Sequence, residues 1–388
     1  MSGLCRLVGE GWGGDVVGAP TWTVRALADL DPRDPLADLR SACASGATHV
    51  GYVSYDVRAL LEPSSGALDA DGAPAIDDRN APALAIARLD DAPDERALGG
   101  YAVSGFASTT GRQGYTAQVE RCVGLVHAGD CFQANLAHRL TAHFDGDARA
   151  LAHALFERTR PAFGALLELA GHTIVSVSPE LFVSFDARTR RVVTRPIKGT
   201  RPAETPAADL ERAEKDTAEL AMITDLMRND LGRVAAPASV RVDTERALDT
   251  HAGELGVRHA SSTVSCTLAR GLDGADLLAR TFPPGSVTGA PKVRAMQIID
   301  ALEPVRRHAY CGTIFVIRPD GSLVSSVAIR TLTVDHAAGV IDLPVGAGIV
   351  ADSDPEAEWD ETMTKARAIV RAIEERATPR DVLGVGPA

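Results

Sequence analysis

The chain has 388 residues, of which 45% are hydrophobic and 24% charged, the balance of a folded globular protein with one large or two ordinary cores. Its formal net charge of -12 argues against a nucleic-acid partner, because phosphate repels an acidic surface. No apolar run approaches the roughly 18 residues a membrane span requires, which argues against a membrane partner. Cys5, Cys43, Cys122, Cys131, Cys266 and Cys311 form neither a CxxC pair nor a Cys/His cluster. That pattern suits reduced thiols. The opening Met1-Ser-Gly-Leu-Cys-Arg6 has no basic segment followed by an apolar one, so a cytoplasmic location is expected.

Residues 1–114 are rich in Gly, Pro, Ala and Asp, with strands predicted at Thr48–Val53 and Ala83–Leu89 and an exposed loop over Leu61–Ala81. Gly9-Glu-Gly-Trp-Gly-Gly14 satisfies GxGxxG, but Asp15–Pro20 does not read as the helix a dinucleotide site needs, so a glycine-rich turn is expected. From Tyr115 the pattern tightens: a helix over Tyr115–Gly129, a strand over Cys131–Leu140, and a helix over Ala148–Thr159. Strands follow at Ala165–Leu169, His172–Ser176, Leu181–Phe185 and Arg191–Arg195, with Arg188–Arg191 as a solvated hairpin tip. Next come a long helix from Ala208 to Arg228, a strand ending over Leu268–Gly271, and helices over Leu277–Thr281 and Ala290–Leu302. The last strands are Cys311–Ile317, Leu323–Ile329, Thr331–Val334 and Val340–Pro344. A final helix over Pro355–Arg376 is entered through Asp354 as N-cap, and the tail 378–388 has no periodicity. Strands in succession joined by tight turns predict an α+β fold, with largely antiparallel sheet and helices packed outside.

Several polar residues stand out against this background. Glu358 and Glu361 lie three apart on one helix face, and Glu219 sits in a mainly apolar stretch of another helix. Converging carboxylates suit Mg²⁺, a hard cation with oxygen ligands; the alternative is ion pairing, for example Glu361 to Lys365. Lys198 sits between Ile197 and Gly199 in Pro196-Ile-Lys-Gly-Thr-Arg-Pro202. A lysine is a nucleophile only when deprotonated, which burial or cations such as Arg195 and Arg201 would favour; the alternative is a surface turn. Phe282-Pro-Pro-Gly-Ser-Val-Thr-Gly-Ala-Pro-Lys292 runs into a helix, and Val345-Gly-Ala-Gly-Ile349 offers a second glycine-rich loop. Both suit an anion, and Arg330 suits a carboxylate.

From Tyr115 to Arg376 the chain resembles the chorismate-utilising enzymes. The resemblance is carried by Ser178-Pro-Glu180-Leu-Phe182, Pro196–Pro202, Asp225–Arg233, Phe282–Met296, Tyr310-Cys-Gly312, Ala328-Ile-Arg-Thr331, and Gly346–Ser353 with Glu358-x-x-Glu361. It implies a layered α/β/β/α sandwich, with residues 115–377 as the chorismate-binding region and 1–114 matching only through Gly51-Tyr-Val-Ser-Tyr-Asp56. Within the family, PIKGT is similar to the aminodeoxychorismate synthase component I branch, whereas anthranilate synthase has PIAGT. Gln133 stands where isochorismate-forming relatives have a water-activating lysine.

That likeness implies amination of chorismate at C4 by ammonia, on the route to 4-aminobenzoate and folate. Lys198 would form a transient adduct at C2, with Glu180 as acid and base at C4 and His259 near C4. Glu219, Glu358 and Glu361 would hold Mg²⁺ on the ring carboxylate, which Thr288 and Gly289 would bind from the other side. Tyr310, Arg330, Gly346 and Gly348 would bind the enolpyruvyl carboxylate. A separate glutamine amidotransferase would supply ammonia and a separate lyase would finish the product. Anthranilate synthase or aminodeoxyisochorismate synthase activity is the alternative.

Overall fold

The computed structural model describes residues 4–66, 79–90, 97–202, 214–251 and 257–374. Its first strands and helices are β1 (Cys5–Val8), β2 (Val16–Arg25), α1 (Ala37–Ala44), β3 (His49–Val53), α2 (Arg58–Leu61) and β4 (Leu84–Asp90). Then come β5 (Tyr101–Val103), β6 (Ala107–Ser108), α3 (Gly111–His127), β7 (Gln133–Gly146) and α4 (Ala148–Thr159). The middle of the chain forms β8 (Phe163–Glu168), β9 (His172–Ser178), β10 (Leu181–Phe185), β11 (Arg191–Arg195), β12 (Ile197–Pro202) and α5 (Glu214–Gly232). Long strands β13 (Arg241–His251) and β14 (Val257–Thr267) precede α6 (Gly274–Thr281), β15 (Gly289–Ala290) and α7 (Lys292–Leu302). The last elements are β16 (Thr313–Ile317), β17 (Leu323–Val327), β18 (Thr331–Asp335), β19 (Val340–Ile349) and α8 (Pro355–Glu374).

Every strand pairing among the described residues is antiparallel. One sheet runs β2–β1–β8–β9–β18–β19–β7, and β15 and β6 also pair with β7. The other runs β2–β4–β3–β16–β17–β10–β11–β14–β13, with β12 continuing along β14 beyond β11. Strand β2 belongs to both.

The central strands, such as β3 and β16, are buried on both faces and so read as largely apolar runs. In β16, Ile314 and Val316 pack between the sheets with Val50, Tyr52, Ala165 and Leu167, while Phe315 and Ile317 face the helical side with Leu277 and Ile223. In β9, Ile174 points between the sheets and Val175 and Val177 point outward to Leu151, Ile369 and Ile373. The result is four layers: α4 and α8 on the first sheet, the second sheet beneath it, and α1, α5 and α6 outside that. Helices α3 and α7 cover the β7–β19 end through Tyr115, Val119, Ile298 and Ile299. This is the expected α+β sandwich.

Several local expectations change. The glycine-rich Val345–Ile349 is the second half of β19, not a loop, because its ladder with β7 continues from Gly346↔Ala137 to Ile349↔Ala134. Leu268–Gly271 is not strand: β14 ends at Thr267, and beyond it only the single bridge Ala235↔Leu268 remains before Gly271 turns left-handed at φ 84°. The hairpin tip at Arg188–Arg191 is not wholly solvated, since Arg190 donates to the carbonyls of Leu268, Ala269 and Leu272. The Gly9–Gly14 stretch is a turn between two strands, with Trp12 buried, its indole N–H on the Gly164 carbonyl at 2.9 Å. The start of the Ala208 helix, the segment 67–78 and the tail 378–388 lie outside the described residues.

Candidate active site

The site forms where β12 and the β9–β10 corner face α5 and the β7–β19 edge. Ser178 ends β9; its hydroxyl donates to the Val327 carbonyl at 2.6 Å and accepts the Glu180 amide at 3.2 Å. The Val327 amide in turn donates to the Glu180 carbonyl at 3.0 Å. The corner is thus tied on both sides, which fixes a carboxyl only 3% exposed. Burial pushes the Glu180 pKa up from 4.5 to about 7, while Ser286, Lys198, the Ile197 amide and Arg330 each pull it back. A carboxyl poised there exchanges its proton readily near neutral pH.

Lys198 leaves β12 opposite Ala260 of β14. Its side chain is 14% exposed, and its ammonium lies 3.9 Å from a Glu219 oxygen on α5. Helix α5 is held over this strand pair by Ile223, Met227 and Leu231 in the core and by Thr224, whose hydroxyl lies 2.7 Å from that of Ser262. Of the expected cations, Arg195 does not flank the amine: it turns to Asp249 at 2.6 Å and to Ser261, and the carboxylates Glu219 and Glu180 face Lys198. The side chain of Arg201 is outside the described set.

Across the cleft, β19 presents two bare positions. A Cβ on Gly348 would lie 2.1 Å from Gln133 Nε2 and 3.4 Å from Lys198 Nζ. One on Gly346 would lie 3.0 Å from the Tyr310 hydroxyl oxygen. Glycine at both positions lets Gln133, Lys198 and Tyr310 approach the strand closely. Arg330 adopts a left-handed backbone (φ 50°), uncommon for a side chain of this size. Burial brings its guanidinium pKa down to about 10, with the Glu180 charge acting against that.

The other expected residues are less directly arranged. Thr288 is fully buried, and its hydroxyl donates back to the Pro284 and Gly285 carbonyls at 3.3 and 3.1 Å. Gly289 sits at φ 150° against β7, where a Cβ would strike the Gln133 carbonyl at 2.0 Å. The loop 281–291 is anchored by Lys292, whose ammonium donates to Thr281 and Pro283 carbonyls at 2.9 Å and to the Asp230 carboxylate. His259 is fully buried in β14, next to the partner of Lys198. Ser286, unremarked in the sequence, bonds Glu180 from inside the Phe282–Lys292 segment.

The three glutamates expected to hold a metal have the right donor chemistry but not a closed arrangement. Glu358 is 5% exposed and accepts the Ser353 hydroxyl at 2.7 Å. Glu361 is ion-paired with Lys365 at 2.8 Å, and Lys365 also donates to the Gly346 carbonyl at 2.9 Å. Glu219 faces Lys198. No group of three or more His, Cys, Asp or Glu among the described residues could hold a metal ion. The three carboxylates are thus present but are not gathered into a preformed site.

A separate cavity of about 680 Å³ opens beside Trp12, Phe163, Pro179, Ile197 and Arg318, but Glu180 and Lys198 are not in its walls. All six cysteines are free, five of them buried. No helix among the described residues is long and apolar enough to cross a membrane.

An antiparallel two-sheet sandwich of this layout is shared with the solved structure of anthranilate synthase component I from Streptococcus pneumoniae TIGR4. The TM-score is 0.73 at 27% identity, covering 84% of this chain and 81% of that one. Residues 68–371 match the model of the chorismate binding enzyme family, and the chain belongs to that family. Among its relatives, aminodeoxychorismate synthase component 1 of Salmonella typhimurium is 41% identical over 278 residues, 70% of this chain and 60% of that protein. Anthranilate synthase component 1 of Thermus thermophilus is 42% identical over 289 residues, 73% of this chain and 60% of that protein. The chain thus spans about 60% of the length of the curated relatives it matches.

Proposed function

We propose that the protein aminates chorismate at C4 with ammonia, giving 4-amino-4-deoxychorismate on the route to 4-aminobenzoate and folate. The observation that carries this reading is Lys198 itself, an amine held at 14% exposure between Glu219 and the Gly348 backbone, beside a carboxyl titrating near 7. With its ammonium proton passed to Glu219, 3.9 Å away, the Lys198 nitrogen bonds to C2 as the ring double bonds shift and the C4–O bond breaks. Glu180 delivers its proton to the departing oxygen, so water leaves. Ammonia then bonds to C4, its surplus proton returns to Glu180, and Lys198 departs from C2 with the bonding pair. A proton donor placed at a poor leaving group contributes roughly 10²–10⁴ in rate. His259 completes the C4 side in this reading.

Arg330 and Tyr310, with the backbone at Gly346 and Gly348, would bind the enolpyruvyl carboxylate, and the 288–289 backbone the ring carboxylate. Mg²⁺ is proposed on donor chemistry alone: Glu219, Glu358 and Glu361 would hold it, and a hard cation there would bind a substrate carboxylate. Ammonia would come from a separate glutamine amidotransferase, and a separate lyase would release 4-aminobenzoate. Cytoplasmic residence accompanies that role.

The test is incubation with chorismate, Mg²⁺ and ammonium, followed by mass and ring-position analysis. A product carrying its amine para to the ring carboxylate is expected. An ortho amine would instead assign the chain to anthranilate-type chemistry, the activity named for the Thermus thermophilus relative.

A further inference from the structure

Strand β7 turns two side-chain amides toward the cleft. Gln133 is 1% exposed and Asn135 is 8% exposed, yet neither the Gln133 Oε1 nor the Asn135 Nδ2 has a hydrogen-bond partner. Residues two apart on a strand share a face, and directly paired residues share it across the ladder. Asn135 pairs with Gly348, the position whose missing Cβ opens toward Gln133 Nε2 and Lys198 Nζ. The two nitrogens are therefore no more than about 5.5 Å apart, the sum of their distances from that point. The Asn135 backbone is fully engaged: its amide donates to the Thr288 carbonyl at 2.8 Å and its carbonyl accepts from Arg307. Arg307 is locked to Glu303, whose carboxylate also takes the Ala137 amide at 2.8 Å. So the backbone at this position is held on both sides, and the strand cannot shift to carry the side chain to an acceptor.

A buried amide N–H without an acceptor is a standing cost to the fold, and such groups are rare in native proteins. A ligand oxygen arriving at Gly348 would meet that donor on the same sheet face. We propose that Asn135 is a substrate-binding residue, its Nδ2 donating to an oxygen of the carboxylate-bearing enolpyruvyl arm of the ring substrate. This rests on the chorismate reading above. It adds a neutral donor to a site whose other expected contacts to that arm are Arg330, Tyr310 and backbone.

The decisive variant is Asn135→Leu, which keeps the volume and deletes the donor; Asn135→Asp replaces the donor with an acceptor of the wrong charge. Chorismate binding is measured by calorimetry without ammonium, KM and kcat with ammonium, and Tm on the ligand-free chain. The expected result is a Kd and KM for chorismate raised about tenfold by Leu and further by Asp, with the ammonium KM unchanged. The ligand-free Tm of the Leu variant stays level or rises, because the unpaired donor is gone. A residue with only a structural role gives the reverse pattern, a lower Tm with unaltered chorismate affinity, and overturns the assignment. If Leu fails to fold, unaltered affinity in Asp overturns it equally. Wild type that binds chorismate but does not aminate it refutes the functional reading while leaving the Asn135 contact measurable as Kd. Wild type that does not bind chorismate sinks both.

Discussion

Replacing Glu180 with glutamine separates its chemical from its structural effect, because the two change sign differently. In the folded chain the carboxyl titrates near 7 rather than 4.5, so between those values the native state holds a proton that the unfolded chain has lost. Stability from this group is therefore fully present below about 4.5 and declines as pH rises through 7. A tenfold difference in proton affinity between the two states is worth about 1.4 kcal/mol, and integrating the two titrations from pH 5 to pH 8 gives a loss of about 2.5 kcal/mol. At about 2.1 cal/mol/K of unfolding entropy per residue, this 388-residue chain moves roughly 3 °C for that energy. Glu180→Gln keeps the shape and cannot titrate. Its Tm should thus gain about 3 °C on wild type between pH 5 and pH 8, while turnover falls by roughly 10²–10⁴ as the proton donor is lost. Melting curves across that pH range and steady-state amination supply the two readouts. Parallel Tm profiles would show that the carboxyl is not held neutral by burial, and undiminished turnover would remove it from the chemistry.

Lys198→Ala should abolish or greatly reduce para-amine formation while leaving Mg²⁺ binding, followed by calorimetry, intact; undiminished activity would remove Lys198 from the mechanism. In wild type, denaturing the chain during turnover should leave a mass increment on the peptide carrying position 198, and none in the alanine variant. Lys292→Met strands Asp230, only 4% exposed, without its partner and frees the carbonyls of Thr281 and Pro283. Breaking a buried pair from one side costs about 3–5 kcal/mol, or roughly 4–6 °C in Tm for a chain of this length. A Tm unchanged within a degree would show that this pair does not anchor the loop.

The fold was legible where burial on both faces makes a strand apolar throughout. The strands Thr313–Ile317 and Leu181–Phe185 stand in the structure close to where the pattern puts them, as does the amphipathic helix Ala148–Thr159. Strand β2 escaped because its exposed stretches, Gly18 and Pro20 dilute the apolar signal; β13 escaped because Arg241, Asp243, Glu245 and Asp249 line a half-exposed strand. The β19 glycines read as a loop because composition alone cannot separate glycine used for left-handed turns from glycine used for space. Gly346 and Gly348 are of the second kind and have no positive φ. Lys198 and Glu180 were legible as motifs. That Asn135 and Ser286 join them was not, since nothing in the sequence separations 135–348 or 180–286 reports contact.

Strand β19 shows how the sandwich makes room for chemistry without weakening its core. Val345, Ala347 and Ile349 are buried against the outer helices, continuing the same packed face as Ile341 and Leu343. The alternate positions 346 and 348 carry no side chain, so the opposite face of the same strand is emptied at the point where Lys198, Tyr310 and Gln133 approach. A period of two allows this separation, whereas a helix turning through a hundred degrees per residue would interleave packing and vacancy. The open face is also where β7 leaves the donor of Asn135 and the acceptor of Gln133 unmet. Space and unmet polarity at one place on a rigid ladder are the conditions for binding a small polar ring.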